Sequence, residues 1–258
     1  MQGKTIGLVA AMPEEIRPLL RRAGKHNREH VSGFDLYRFA VGDREAALIE
    51  SGIGAERAAR ATSILIDAVA PGMILNFGFA GAVLPGPKVG DVVMADRLLF
   101  FKERLFTEEP GLHRDLSERL AALLEAACKG KDFRVQRGTF VTAGEIVAKQ
   151  RLSGLLPEGT GNPVLEMETA AVARTAARAN IPLVALRAIS DGAEEELDFT
   201  IGEITDHNMN ISAAKLLRTI AGKPRIIPQL IRLARNSRIA GRNLAVALVA
   251  LLENLPTT

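Results

Sequence analysis

Hydrophobic positions along the 258-residue chain fall mostly in short continuous runs. Thr5–Ala11, Met73–Phe79, Val89–Ala95, Phe133–Thr142, Val164–Glu166 and Pro182–Ile189 are such runs and read as buried strands. Between them apolar residues recur at helical spacing. This predicts helices over Glu14–Ala23, from Ser51-Gly52-Ile53-Gly54 to about Val69, and over Leu112–Cys128, Thr169–Ala179 and Ile201–Ala221. Pro13 stands near the first position of the first helix. Phe34–Val41 and Glu45–Glu50 flank Gly42-Asp43 as a hairpin. Buried strands alternating with amphipathic helices predict an α/β fold, a mostly parallel or mixed sheet covered on both faces. No internal repeat or low-complexity linker divides residues 1–222, which read as one domain. Gly222-Lys223-Pro224 marks the boundary of a C-terminal helical extension, 223–258.

Composition sharpens this picture at two points. The single cysteine, Cys128, excludes an internal disulfide and any multi-cysteine metal site. The net charge of +3 suggests nucleic acid until its distribution is read. Residues 1–222 hold 27 basic and 29 acidic side chains, and 223–258 hold six and one. The body is mildly acidic, so no nucleic-acid partner is expected. In the extension, Arg232, Arg235, Arg238 and Arg242 fall within about 120° of a helical wheel, with Leu230, Leu233, Leu244 and Leu248 on another side. Such a helix packs on the domain or on a partner subunit, or meets anionic lipid at about 1 kcal/mol per basic residue. The apolar run Ile6–Met12 stops at Pro13-Glu14-Glu15, too short for a signal peptide. Leu244–Leu252 is nine apolar residues, where a membrane span needs about 20. A cytoplasmic protein is expected, with peripheral membrane contact as the sharper reading of the extension.

Open α/β sheets place ligands at the carboxyl ends of their strands. The residues there are Glu14 and Glu15, Gly78-Phe79-Ala80-Gly81, Glu166-Met167-Glu168, and Ser190-Asp191-Gly192. Each has a plain structural alternative. Glu14 and Glu15 complement a helix dipole, the glycines make tight turns, and Asp191 caps a helix. Glu166 and Glu168, alternating, provide one exposed side chain and one buried partner for an arginine such as Arg187. Gly52-Ile53-Gly54 does not complete a dinucleotide fingerprint, since Arg57 stands where the third glycine belongs. The four histidines, His26, His30, His113 and His207, lack metal-ligand spacing, so neither a metal nor a cofactor is expected.

Taken in order, six segments resemble the nucleoside phosphorylase superfamily. They are Met12-Pro13-Glu14-Glu15, Ser51-Gly52-Ile53-Gly54, Asn76-Phe77-Gly78-Phe79-Ala80-Gly81, Val89-Gly90-Asp91-Val92-Val93, Glu166-Met167-Glu168-Thr169-Ala170-Ala171 and Arg187-Ala188-Ile189-Ser190-Asp191. The similarity covers about residues 4–221 and is strongest to the methylthioadenosine/S-adenosylhomocysteine nucleosidase branch. It implies a three-layer α/β/α sandwich with a twisted mixed sheet, a small nucleoside substrate, and a homodimer or larger homo-oligomer.

The resemblance also implies roles. The residue matching Asp191 protonates a ring nitrogen of adenine, which requires it to hold a proton near neutral pH. Glu168 corresponds to the glutamate gripping the ribose hydroxyls, beneath an oxocarbenium-like sugar, and Met167 to a contact with the ribose face. Glu15 matches the glutamate that orients the attacking water, and Arg187 the arginine near that water. Ser190 adjoins the acid, Ile146 and Val147 fall where the family reads the purine edge, and Phe199 where a lid contact lies. Phosphorolytic relatives hold phosphate with an arginine and a serine where this chain has Asn76 and Phe79, which favours water as the nucleophile. Arg57 and Arg60 remain candidate phosphate ligands, so a phosphorylase, or a non-catalytic nucleoside-binding protein, is the alternative. Phe79 replaces a serine, the aromatic that stacks on adenine is absent near Ile146, and the loop after Ala95-Asp96 is short, with an apolar Leu98–Phe106. These departures suggest a 5′ substituent larger or greasier than methylthio. The extension resembles the hopanoid-associated members of the superfamily, which implies an adenosyl-linked lipid as one candidate substrate.

Overall fold

The computed structural model describes residues 5–145, 147–195, 215, 218, 219 and 222–255. Ten strands form one mixed sheet. The strands are β1 (Ile6–Ala10), β2 (His26–Val31), β3 (Phe34–Val41), β4 (Arg44–Glu50), β5 (Met73–Ala82), β6 (Val92–Lys102), β7 (Leu105–Glu108), β8 (Val135–Ala143), β9 (Val164–Glu166) and β10 (Leu183–Asp191). Among the described residues, the α-helices with defined bounds are α1 (Pro13–Ala23), α2 (Ala55–Val69), α3 (Arg114–Ala127), α4 (Lys149–Ser153), α5 (Thr169–Arg178) and α6 (Ile227–Asn254). The helix expected over 201–221 lies mostly outside the described residues.

The strand order is β10-β6-β8-β9-β5-β1-β4-β3-β2, with β7 on β6 and a further pairing of β10 with β5. That last pairing closes β5, β10, β6, β8 and β9 into a ring, while β1 to β4 extend from it as an open, twisted wing. β1 is buried throughout, and β5 and β10 are buried except at Phe79, Ser190 and Asp191, as their largely apolar sequences require. The wing's β3 alternates buried and exposed positions, and β2 (HNREHV) is almost wholly exposed, with His26 and His30 on it.

Helices cover both faces, giving the α/β/α sandwich. One layer packs Ile16 and Leu19 of α1, Leu120 and Leu124 of α3, and Leu244, Leu248 and Leu252 of α6 against Leu8, Phe77 and Leu186. The other packs Ala58 and Leu65 of α2 and Val172 and Ala176 of α5 against Val9, Ile49 and Ile74. The extension is thus one helix of 28 residues whose second half belongs to the first layer. Gly241 lets it approach closely: a side-chain carbon there would sit 3.0 Å from the Glu14 carbonyl oxygen and 3.4 Å from the Phe79 ring. Its arginine stripe faces solvent, and Leu230 and Leu233 are only half-buried.

Three local expectations are corrected. The strand expected at Val89–Ala95 begins at Val92 instead, because Gly90 takes a positive φ of 90° and Asp91 turns back into the loop. There the Asp91 carboxylate accepts from the Lys88 and Arg134 backbone N–H groups and from the Arg134 and Gln136 side chains. The same strand then runs on to Lys102 and turns back as β7. Leu98, Leu99 and Phe101 are consequently buried core residues, not a greasy cover over a ligand.

Candidate active site

Parallel pairing brings four strand ends together. β1 lies between β4 and β5, and β10 lies beside β5. The register sets Ala10 beside Glu50, Arg187 beside Gly78 and Asp191 beside Gly81. The loops that follow therefore face one cleft, and each candidate acid reaches it from a different element.

Glu15 belongs to the first turn of α1 and is the one charged residue among that helix's buried positions, beside Ile16, Leu19 and Leu20. Its carboxylate is held by backbone donors alone. Oε2 accepts from the Ala11 and Met12 N–H groups, each at 2.9 Å, and Oε1 from the Phe79 N–H at 2.8 Å. Gly78 makes this approach feasible, since a side-chain carbon there would lie 2.6 Å from Oε1. Burial raises the pKa of Glu15 above the usual carboxylate range, against the opposing pull of Arg187 and the three N–H donors. Phe79 meets Glu15 through its backbone, while its ring packs with the α1–α3–α6 layer.

Behind this acid lies a fully buried polar network. Arg187, 1% exposed, brings Nη2 within 2.8 Å of Asn76 Oδ1, Glu166 Oε2 and Thr169 Oγ1. Glu166 also accepts from Thr142 and from the Glu168 and Thr169 N–H groups. A buried charge pair of this kind persists only when its lone pairs and protons are met, and here Arg187 Nε alone lacks a partner among the described residues. Glu166 is thus the buried partner of Arg187 that the alternation at 166 and 168 allows. Asn76, in the strand-end motif, also ties β5 to Val9 of β1.

Glu168 caps α5 on the cleft side of that network, next to the partly exposed Met167. One of its oxygens, Oε1, accepts from the Gly54 N–H at 2.9 Å. Its pKa is pushed up to about 7, first by burial and then by the neighbouring Glu166 charge, with Arg187 pulling the other way. The Glu15 charge adds a smaller push in the same direction.

At the far end of the cleft, Asp191 Oδ1 accepts from the Ser190 hydroxyl at 2.6 Å, and Oδ2 is ion-paired with Lys149. Lys149 Nζ also donates to the Gly192 carbonyl at 2.7 Å. Gly81 leaves the room for this pair, since a side-chain carbon there would meet Asp191 Oδ2 at 2.5 Å and Lys149 Cε at 2.7 Å. Sequence reasoning missed Lys149, Asn76's place in the network and Thr169. The signal for Lys149 was slight: it opens a helix of only five residues with no apolar period. Val147 packs on a small cluster with Val141, Leu99 and Phe101. Ile146 and Phe199 lie outside the described residues. Arg57 Nε donates to the Ser51 carbonyl at 2.9 Å, and the Arg57 and Arg60 guanidinium groups both lie over the Phe34 ring. Among the described residues no group of three or more His, Cys, Asp or Glu side chains is placed to hold a metal ion.

Residues 5–221 match the profile of the phosphorylase superfamily. A 5′-methylthioadenosine/S-adenosylhomocysteine nucleosidase of Exiguobacterium is 29% identical over 229 residues, covering 83% of this chain and 96% of that protein. The protein of the same name from Oceanobacillus iheyensis is 32% identical over 208 residues, covering 74% and 88%. Among solved structures, an S-adenosylhomocysteine nucleosidase from Streptococcus pyogenes, in complex with 5-methylthiotubericidin, superposes with a TM-score of 0.72. It is 24% identical, with 100% of this chain and 99% of that one covered, a likeness of fold.

Proposed function

Because the chain belongs to the phosphorylase superfamily, we propose that it hydrolyses the N-glycosidic bond of a 5′-modified adenosine and releases adenine. The observation that carries hydrolysis over phosphorolysis is Glu15: a buried carboxylate, fixed by three backbone N–H groups, with its pKa raised. A phosphate entering beside it would meet a like charge in a water-poor space. Arg57 and Arg60, the cations that would offset this, are turned onto Phe34. For water the same group is suited. A base titrating above the ordinary carboxylate range takes a proton from water more readily near neutral pH.

In this reading Glu15 orients the water with the lone pairs that its three backbone bonds leave free. Glu168 accepts the ribose hydroxyls, and its negative charge lies under the cationic sugar as the bond breaks. Met167 bears on the ribose face. Asp191, oriented by Ser190, serves the leaving base, whose edge is read by backbone groups at Ile146 and Val147. Arg187 acts at one remove, holding Glu166 and the floor of the cleft while its charge opposes the mutual repulsion of Glu15 and Glu168. Phe199 contributes to the cover.

The test is adenine release from 5′-methylthioadenosine and from S-adenosylhomocysteine, with and without phosphate. Equal rates in phosphate-free buffer, and a loss of at least 100-fold in Glu15→Gln, are expected. Release that requires phosphate would make the protein a phosphorylase, and no release from any adenosyl substrate, a lipid-linked one included, would leave a binding protein.

A second reading concerns the 5′ side. Of the three exposed large hydrophobic residues among those described, Ile227 and Ile231 are both on the first turns of α6, 40% and 65% exposed, alongside Arg225, Arg232, Arg235 and Arg238. This favours peripheral contact with an anionic membrane and, with it, an adenosyl-linked lipid as substrate. Among the described residues no helix is long and apolar enough to cross a membrane. Co-sedimentation with phosphatidylglycerol vesicles is expected for the intact chain and lost in Ile231→Glu; equal pelleting of both would remove the membrane contact. A homodimer or larger homo-oligomer is part of the same proposal.

A further inference from the structure

We propose that Lys149 is the positioning residue that supplies, through Asp191, the proton taken up by the leaving base. The inference rests on the hydrolytic reading and adds to it the origin of the proton. Both oxygens of Asp191 already receive donors, Oδ1 the Ser190 hydroxyl at 2.6 Å and Oδ2 the Lys149 ammonium. A serine hydroxyl can donate or accept, whereas an ammonium only donates. The contact of Lys149 with Oδ2 is therefore the one that aims a proton at Asp191. The Lys149 side chain is 8% exposed, and its hydrogen bonds among the described residues, to Asp191 and the Gly192 carbonyl, both lie at the end of β10.

Among the described residues the neighbouring charges are placed elsewhere. Arg187 and Glu166 pair with one another below the cleft. Glu15 is held by backbone N–H groups and Glu168 by Gly54. Glu195, beyond Gly192, lies 3.5 Å from Arg232. Glu145, before α4, is exposed. Desolvation disfavours an ion pair relative to its neutral amine and acid form, so filling the cleft with substrate eases proton transfer along the Nζ–Oδ2 bond. As the C1′–N9 bond breaks, its electron pair goes to the purine. Lys149 passes one proton to Asp191, and a purine ring nitrogen takes that proton from the Asp191 carboxyl. The products are a neutral base, a carboxylate and a neutral amine. The attacking water gives one proton to Glu15 and its hydroxyl to C1′. Exchange with solvent moves the proton off Glu15 and restores the ammonium.

Two variants of the full chain test this, with 5′-methylthioadenosine as substrate and kcat and KM measured from pH 5 to 9. Lys149→Met leaves Asp191 to draw its proton from solvent. Its kcat is expected to fall at least tenfold at pH 8 and to recover toward wild type below pH 6, with KM changed less than threefold. Lys149→Arg keeps a cation against Asp191 but cannot release a proton, and is expected to retain the wild-type Tm and the low kcat at pH 8. Full activity of the Arg variant at pH 8 would reduce the role to charge alone and overturn the proposal. So would a Met variant with the wild-type pH profile, or a loss equal at every pH. A wild-type protein that releases no base at any pH would remove the hydrolytic reading, and this proposal with it.

Discussion

Glu168 is held under electrostatic tension. Its carboxyl is desolvated and faces Glu166, and the pull of Arg187 offsets this only in part, so that its pKa stands at about 7 against 4.5 when unperturbed. The folded protein thus binds the Glu168 proton more tightly than the unfolded chain does. Stability from this group is full below about pH 4.5 and is lost as pH rises toward 7. Glu168→Gln, neutral at every pH, is expected to melt at a higher temperature than wild type at pH 8. That advantage should shrink through pH 6 and vanish near pH 4.5, while base release is lost throughout. A constant difference in Tm across this range would show that burial does not hold back the charge. Glu15 was legible in sequence as an acid at a helix start and as part of a family motif. What fixes it was not: the Ala11, Met12 and Phe79 N–H groups belong to backbone whose path depends on the β1 and β5 register. Gly78 and Gly81 were visible as turn residues. Their φ angles are not positive, and what demands glycine is the space taken by Glu15 Oε1 at one and by the Asp191–Lys149 pair at the other.

Elements were legible in proportion to the length of their apolar pattern. The buried strands and α2, α3 and α5 announced themselves through continuous runs or 3.6-residue spacing. The exposed β2 and the short β7 and α4 did not, because tertiary pairing and not local patterning defines them. α6 is the instructive case. Its arginines dominate the sequence reading, yet Leu244, Leu248, Leu251 and Leu252 are all fully buried against the sheet. Leu248→Ala is expected to cost about 2–5 kcal/mol of unfolding free energy, measured by urea denaturation. A cost below about 1 kcal/mol, the scale of a surface substitution, would mean that α6 is an appendage and not part of the layer.

For the whole molecule, the alternation of strands and helices predicted the architecture, and the order of motifs predicted the family. The closed ring of β5, β10, β6, β8 and β9 was beyond reach, since it depends on a pairing between strands far apart in the chain. The net charge also changed meaning: the basic excess of 223–258 lies on the solvent side of a helix whose other side completes the core. α6 touches the site itself, for Gly241 rests against the Glu14 carbonyl and the Phe79 ring, the two residues flanking the carboxylate grip of Glu15. Every other residue assigned to the cleft precedes α6 in the chain. During synthesis, then, all the acids leave the ribosome before the support beneath one of them exists. A chain stopped before α6 would carry Glu15, Glu168 and Asp191 but lack the helix that packs against Glu14 and Phe79.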